Sequence, residues 1–176
     1  LKERIAILID GQNVHAALRC DGMAIDYLAL VAALTGDRYL IRPYFFSIDI
    51  VGQDEYRPLR QMLDFLDYHG FEVVTKELQD RGGDSRFGNC SLAVDLASAA
   101  FDIADSVQHL ILCTGDEQFL PLVQTLQRHG KRVTIATVKV RCADALRRQA
   151  DHFFDLEPIK ARLLRPAKAP REAQPA

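Results

Sequence analysis

Long apolar runs are missing from this sequence. Nowhere do about eighteen consecutive apolar residues occur, which excludes a membrane-spanning helix. Also missing is any C-x-x-C pair. The four cysteines (Cys20, Cys90, Cys113 and Cys142) lie far apart, so buried reduced thiols are expected rather than a disulfide framework or a zinc site. No G-x-G-x-x-G or G-x-x-x-x-G-K-[ST] occurs, which removes the dinucleotide and P-loop phosphate cradles. No G-x-S-x-G supplies a hydrolase serine, and Asp10 has no second acid two residues on, so a D-x-D phosphotransferase start is absent. The histidines His15, His69, His109, His129 and His152 are scattered; His69 and His129, each followed by glycine, read as C-terminal helix residues. The Leu-Lys-Glu-Arg that leads into the first apolar run resembles no signal peptide, so a cytoplasmic location away from membranes is the expectation.

What is present is one good core. At 176 residues and 48% hydrophobic, the chain has enough apolar material for a single domain. Residues 1–164 are expected to form it, and residues 165–176, with three prolines and no apolar period, to form a disordered tail. The net charge of −2 is uneven: residues 1–156 carry −5 and residues 157–176 carry +3. The body thus lacks the global basic signature of a nucleic-acid binder, and any such contact would have to come from local clusters.

Short apolar runs alternate with helical patterns. Strands are expected at 4–9, 39–48, 71–76, 108–113, 131–138 and 152–156, the second with a bulge or an edge-proximal position signalled by Pro43. Helices are expected from 13 to 19, 27 to 34, 54 to 69, 89 to 104, 117 to 129, 142 to 149 and 158 to 164. Asp26 opens the second of them and Gly36 stops it. The alternation implies an α/β fold, a three-layer α/β/α sandwich around a mostly parallel sheet. Residues 78–88 read as a polar, glycine-bearing loop.

The chemistry is carried by carboxylates at two matching corners. Asp10 follows the apolar run Ile5–Ile9, and Asp116 follows Leu110–Cys113 and the pair Thr114-Gly115. Ligands of open α/β sheets bind outside the carboxyl ends of strands, where these acids would emerge. Asp95, in the second turn of a helix otherwise made of Ala, Leu and Val, would cost several kcal/mol unless paired, hydrated or on a cation. Three convergent acids without a matching Lys or His cluster suggest a hard divalent ion. Each acid also has a plainer reading. Asp10-Gly11 makes a turn, Asp116 an N-cap, Thr114 and Glu117 a capping box, and Asp95 a helix boundary.

The ordered set Ile-Leu-Ile-Asp10-Gly-Gln-Asn13, Leu92-Ala-Val-Asp95, Thr-Gly-Asp116-Glu-Gln-Phe119, Arg128-His-Gly-Lys-Arg-Val133 and Ala150-Asp-His-Phe-Phe-Asp155 resembles the NYN domain. That family is the LabA-like branch of the PIN-like ribonuclease superfamily. The resemblance implies a strand order 3-2-1-4-5 and a Mg2+- or Mn2+-dependent ribonuclease site. It implies metal ligands Asp10, Asp95 and Asp116, with Asn13 orienting a water or the phosphate and Thr114, Glu117, Gln118 and Asn89 as auxiliary residues. Asn89 and Gln118 stand where the family commonly carries acids, and losing those charges weakens metal binding. Two functional readings follow: a metal-dependent endoribonuclease hydrolysing RNA phosphodiesters, weakened by Asn89 and Gln118, or a catalytically degenerate PIN-like module that binds RNA or a protein. Arg81, Arg86, Lys139 and Arg141 are the candidate RNA contacts, and single-stranded RNA is the expected partner, since Phe87 or tyrosines could stack on unpaired bases. A homo-oligomer or a protein partner stays open.

Overall fold

The computed structural model describes residues 2–18, 22–51, 58–79 and 91–166. In chain order the elements are β1 (Arg4–Asp10), α1 (Gly11–Leu18), β2 (Met23–Ile25), α2 (Tyr27–Thr35), β3 (Tyr39–Val51), α3 (Pro58–Tyr68) and β4 (Glu72–Gln79). Then come α4 (Ala93–Ala104), β5 (His109–Cys113), α5 (Leu120–Arg128), β6 (Arg132–Thr137), α6 (Asp144–Gln149), β7 (His152–Asp155), α7 (Lys160–Leu163) and β8 (Leu164–Pro166). Six strands form one sheet in the order β4-β3-β1-β5-β6-β7, and every pairing in it is parallel. Counted along that sheet alone, the order is 3-2-1-4-5 with a sixth strand added, as the family resemblance implied.

Strand alternation builds the layers. Ile5, Ile7 and Ile9 pack on one face against α1, α2, α3 and α7, through Val14, Leu30, Leu66 and Leu163 among others. Ala6 and Leu8 point to the other face, against α4, α5 and α6 through Leu96, Val123 and Leu146. Both faces are covered, which is why β1 and β5 are apolar without interruption. Truncating a fully buried side chain such as Leu8 to alanine would cost about 2–5 kcal/mol.

Local signals end the elements as expected at several points. The Asp26 side chain accepts the Ala29 N–H at 3.0 Å, and Gly36 closes α2 at φ 56°, a conformation glycine adopts at no steric cost. Beside Pro43 the β1–β3 register slips: Ile5 faces Leu40 but Ala6 faces Arg42, leaving Ile41 as a bulge.

Other expectations need correction. Asp95 sits in the first turn of α4, not the second, because the helix starts at Ala93. Residues 117–119 form a single 3-10 turn, and α5 begins only at Leu120, where Pro121 fits the first turn. Arg165 and Pro166, placed in a disordered tail by composition, belong to β8, which pairs antiparallel with β2. Arg165 also forms an ion pair with the side chain of Asp26. The polar loop, Cys20 and Cys90 lie outside the described residues.

Candidate functional site

The chain runs from β1 outward through β3 to β4, then returns to the other side of β1 as β5 and continues to β6 and β7. The β1–β5 junction is therefore the point where strand order reverses, and the carboxyl ends of those strands frame a crevice. Asp10 continues the alternation of Ala6 and Leu8 and so emerges on the α4–α5 face. Since Ile9 is in register with Cys113, the next residues, Asp10 and Thr114, come side by side.

Their side chains meet. Asp10 is 9% exposed; its Oδ1 accepts the Asn13 N–H at 3.1 Å, and its Oδ2 accepts the Thr114 hydroxyl at 3.5 Å. Asn13 Oδ1 in turn accepts the Gly115 N–H at 2.9 Å, which ties α1 to the second corner. Asp116 Oδ1 caps the 3-10 turn by accepting the Gln118 N–H at 3.0 Å, while the Gln118 amide donates to Asp116 Oδ2 at 2.7 Å. Thr114 accepts the Asp116 N–H at 3.3 Å, so the cap is Asp116 rather than a Thr114–Glu117 box.

Both corners depend on glycine for space. A Cβ on Gly11 would lie 2.5 Å from the Phe45 ring and 2.8 Å from the Phe46 carbonyl. One on Gly115 would fall on the Arg141 carbonyl. Asp10-Gly11 is thus the entry of α1 under a crowded strand rather than a simple turn.

Asp10, Asn13, Asp116 and Gln118 line one open cleft of about 670 Å3, together with Gln12, Ser91 and Phe119. No Lys, Arg or His lines it among the described residues. Burial pushes the Asp10 carboxyl above the usual carboxylate range, the Asn13 N–H pulls it part of the way back, and the charge of Asp116 pushes it up again. A carboxylate that is both desolvated and crowded by a like charge, with neutral donors only, lacks a cation. The oxygen-only donors of Asp10 and Asp116 fit one hard divalent ion that keeps most of its waters.

Asp95 does not share that cleft. Its Oδ2 lies 3.2 Å from Lys76 Nζ on β4, and the same ammonium donates to the Ser91 carbonyl at 3.3 Å. The cost foreseen for an unpaired aspartate on this helix is met by a lysine and by partial exposure. Among the described residues, no group of three or more His, Cys, Asp or Glu is arranged to hold a metal ion. Two of the three aspartates therefore come together and the third is paired elsewhere.

Lys76, Ser91 and Gln12 were not singled out from sequence. Ser91 Oγ donates to Gln118 Oε1 at 3.1 Å and accepts the Ala93 N–H at 3.1 Å, so it joins the start of α4 to the Asp116 corner. Only Gln12, inside the first motif, carried a sequence signal. Glu117 is exposed on the 3-10 turn. Lys139 and Arg141 lie on an exposed turn after β6, and Arg141 Nη2 donates to the Ala16 carbonyl at 3.2 Å. That turn packs directly over Gly115 through the Arg141 carbonyl. Asn89, Arg81, Arg86 and Phe87 fall outside the described residues. Cys113 is a free, buried thiol, pushed up first by burial and then by the charge of Asp10, and so is inert.

A parallel sheet in this order, with an acidic cleft at its reversal point, defines a PIN-like α/β/α domain. The chain belongs to the NYN domain family, which its residues 4–157 match. It is 24% identical over 161 residues to the Low amplitude and bright protein LabA of Synechococcus elongatus, covering 90% of this chain and 86% of that one. A crystal structure of a protein of unknown function from Vibrio parahaemolyticus superposes with a TM-score of 0.75 at 29% identity, covering 93% of this chain and 97% of that one. No helix among the described residues is long and apolar enough to cross a membrane.

Proposed function

We propose that this NYN domain is an RNA-binding module whose cleft takes a phosphate of single-stranded RNA, with hydrolysis slow or absent. The observation that carries the reading is the split of the three aspartates. Asp10 and Asp116 share the cleft, while Asp95 is neutralised by Lys76. Two carboxylates alone repel a phosphate, so the cleft would hold one Mg2+ or Mn2+ between Asp10 and Asp116. A divalent ion there supplies positive charge toward a phosphodiester and lowers the pKa of water in the cleft. A symmetric two-metal clamp on attacking and leaving oxygens needs more acid than these residues bring together. Gln118 contributes an amide to Asp116 where a further carboxylate would draw in a second ion.

The residues of this chain divide the remaining work. Thr114 and the Asn13 N–H hold the two oxygens of Asp10, and Asn13 locks α1 to the Gly115 corner. Lys139 and Arg141, on the turn over Gly115, are placed for the RNA backbone beyond the cleft, where basic side chains supply most of the nonspecific affinity. The ribonuclease reading keeps one specific support: the Asp10–Asn13–Thr114–Asp116 arrangement is complete.

One experiment separates the two readings. Mn2+ calorimetry and binding of labelled single-stranded RNA are measured for the wild type and Asp116→Asn, with cleavage followed on the same samples. The binding module predicts metal heat and metal-dependent RNA affinity that both fall in Asp116→Asn, without chelator-sensitive cleavage. Chelator-sensitive cleavage lost in the variant would establish the nuclease instead. RNA affinity indifferent to both metal and Asp116→Asn would end the cleft reading.

A further inference from the structure

A second concavity, of about 560 Å3, adjoins the first, and Gln12 lines both. Its chemistry is opposite. None of the described residues that line it is Asp, Glu, Lys or Arg. Tyr27 and Phe45, 5% and 1% exposed, form a buried floor with ring centroids 4.7 Å apart. Half-buried Met23 of β2 and Met62 of α3 stand on its walls, and Gln12 and Ser47 supply polar groups.

A hydrophilic acidic cleft and a neutral apolar pocket sharing one wall match the two halves of a nucleotide. Phosphate belongs with the carboxylates and a bound cation. A base is uncharged, flat and apolar on its faces, with hydrogen-bonding edges, and it leaves water readily for aromatic or thioether surfaces. The pocket is also within the usual size of small-molecule sites, about 300–1,000 Å3.

From this juxtaposition we infer that the pocket between β2, β3 and α3 binds a nucleobase of the RNA strand whose phosphate lies at Asp10 and Asp116. The inference rests on the proposed RNA-binding role of that cleft. Bound this way, the base is unpaired and turned away from its neighbours, so duplex RNA is excluded. Gln12 and Ser47 then face the base edge and set whatever base preference the protein has.

The test is fluorescence anisotropy with labelled hexaadenylate in Mn2+, using the wild type, Met62→Ala and Asp116→Asn, with an abasic ribose-phosphate hexamer as second probe. Base stacking lost to alanine is expected to weaken hexaadenylate binding about five- to hundredfold. The abasic hexamer should bind the wild type correspondingly weakly and be indifferent to Met62→Ala. Because that arm needs no variant, a folding defect in Met62→Ala would not mask the result. Equal wild-type affinity for the two hexamers overturns the base pocket and hands it to some other occupant, such as a protein side chain. Met62→Ala binding hexaadenylate like the wild type, while Asp116→Asn loses it, overturns the pocket and leaves the cleft standing. Hexaadenylate binding that neither variant weakens removes both.

Discussion

At the amino edge of the sheet, His109 is 2% exposed, and its ring is met from every side. Nε2 lies 2.7 Å from Thr134 Oγ1, Nδ1 lies 3.3 Å from Glu3 and 3.4 Å from Arg38, and Arg132 pairs with the same Glu3 at 2.7 Å. At the carboxyl edge, Asp10 is nearly as buried, but its partners are neutral donors and its charged neighbour, Asp116, is an acid. One end of the same strands is satisfied by the chain's own groups, and the other is left one cation short. Buried ionisable groups that the fold completes are scaffolding; those that it leaves crowded are where a ligand's charge does the completing.

The contrast is sharpest if both residues are changed. His109→Ala is expected to cost about 3–5 kcal/mol, since it opens a cavity and orphans Thr134 and Glu3. Urea denaturation would show it, with Mn2+ binding unchanged. Asp10→Asn should act in the opposite sense. An asparagine retains an acceptor for the Asn13 N–H while relieving the buried like-charge contact. In metal-free buffer a gain of about 0.5–2 kcal/mol is expected, with Mn2+ heat lost. A destabilised Asp10→Asn would make the two ends alike and break the comparison.

Acid should separate the ends as well. Burial holds the His109 imidazole below its ordinary value of 6.5, and Glu3 restores only part of the shift. Neutral His109 therefore contributes its full stability above 6.5, and that stability is lost as pH falls through the folded-state value. Asp10 titrates above its ordinary value of 3.8, so its charge costs the folded state most at neutral pH, and the cost fades as pH drops toward 3.8. Chemical denaturation from pH 7 downward in chelator should show a stability loss that disappears in His109→Gln. The opposing gain should disappear in Asp10→Asn. Identical pH profiles for the two variants would contradict both assignments.

Much of this was legible in the residues, for physical reasons that differ by element. Strands β1 and β5 announce themselves because burial on both faces demands uninterrupted apolar runs. Asp26 and Gly36 mark α2 because capping is local chemistry. Asp10 and Asp116 were found because an acid that ends such a strand has only the sheet edge to face. What escaped were contacts made at long range by ordinary residues. Lys76 is a charged residue near a strand end, and nothing in its neighbourhood points to Asp95, nineteen positions away. The β2–β8 pair is three residues on each side, too short for any period to register. The costly position of Asp95 was read correctly, but the sequence offered two ways of relieving it, and the chain uses its own cation.

The smallest expected effect tests that last point. Lys76 and Asp95 are 44% and 36% exposed at the side chain, so their ion pair is worth at most about 1 kcal/mol. Asp95 also sits in the first turn of α4, where the helix dipole favours a carboxylate without help. Lys76→Gln should therefore fold almost as stably as the wild type. Its Mn2+ affinity decides the larger question. If Asp95 stays outside the cleft, calorimetry will show a change of less than about fivefold, the size of a lost surface charge. If Lys76 is what keeps Asp95 from the other two aspartates, its removal adds a third carboxylate, and affinity should rise more than about tenfold, since ligand charge count tunes binding of hard cations. Chelator-sensitive RNA cleavage gained together with that affinity would mean that a single lysine on β4 separates a binding domain from a nuclease.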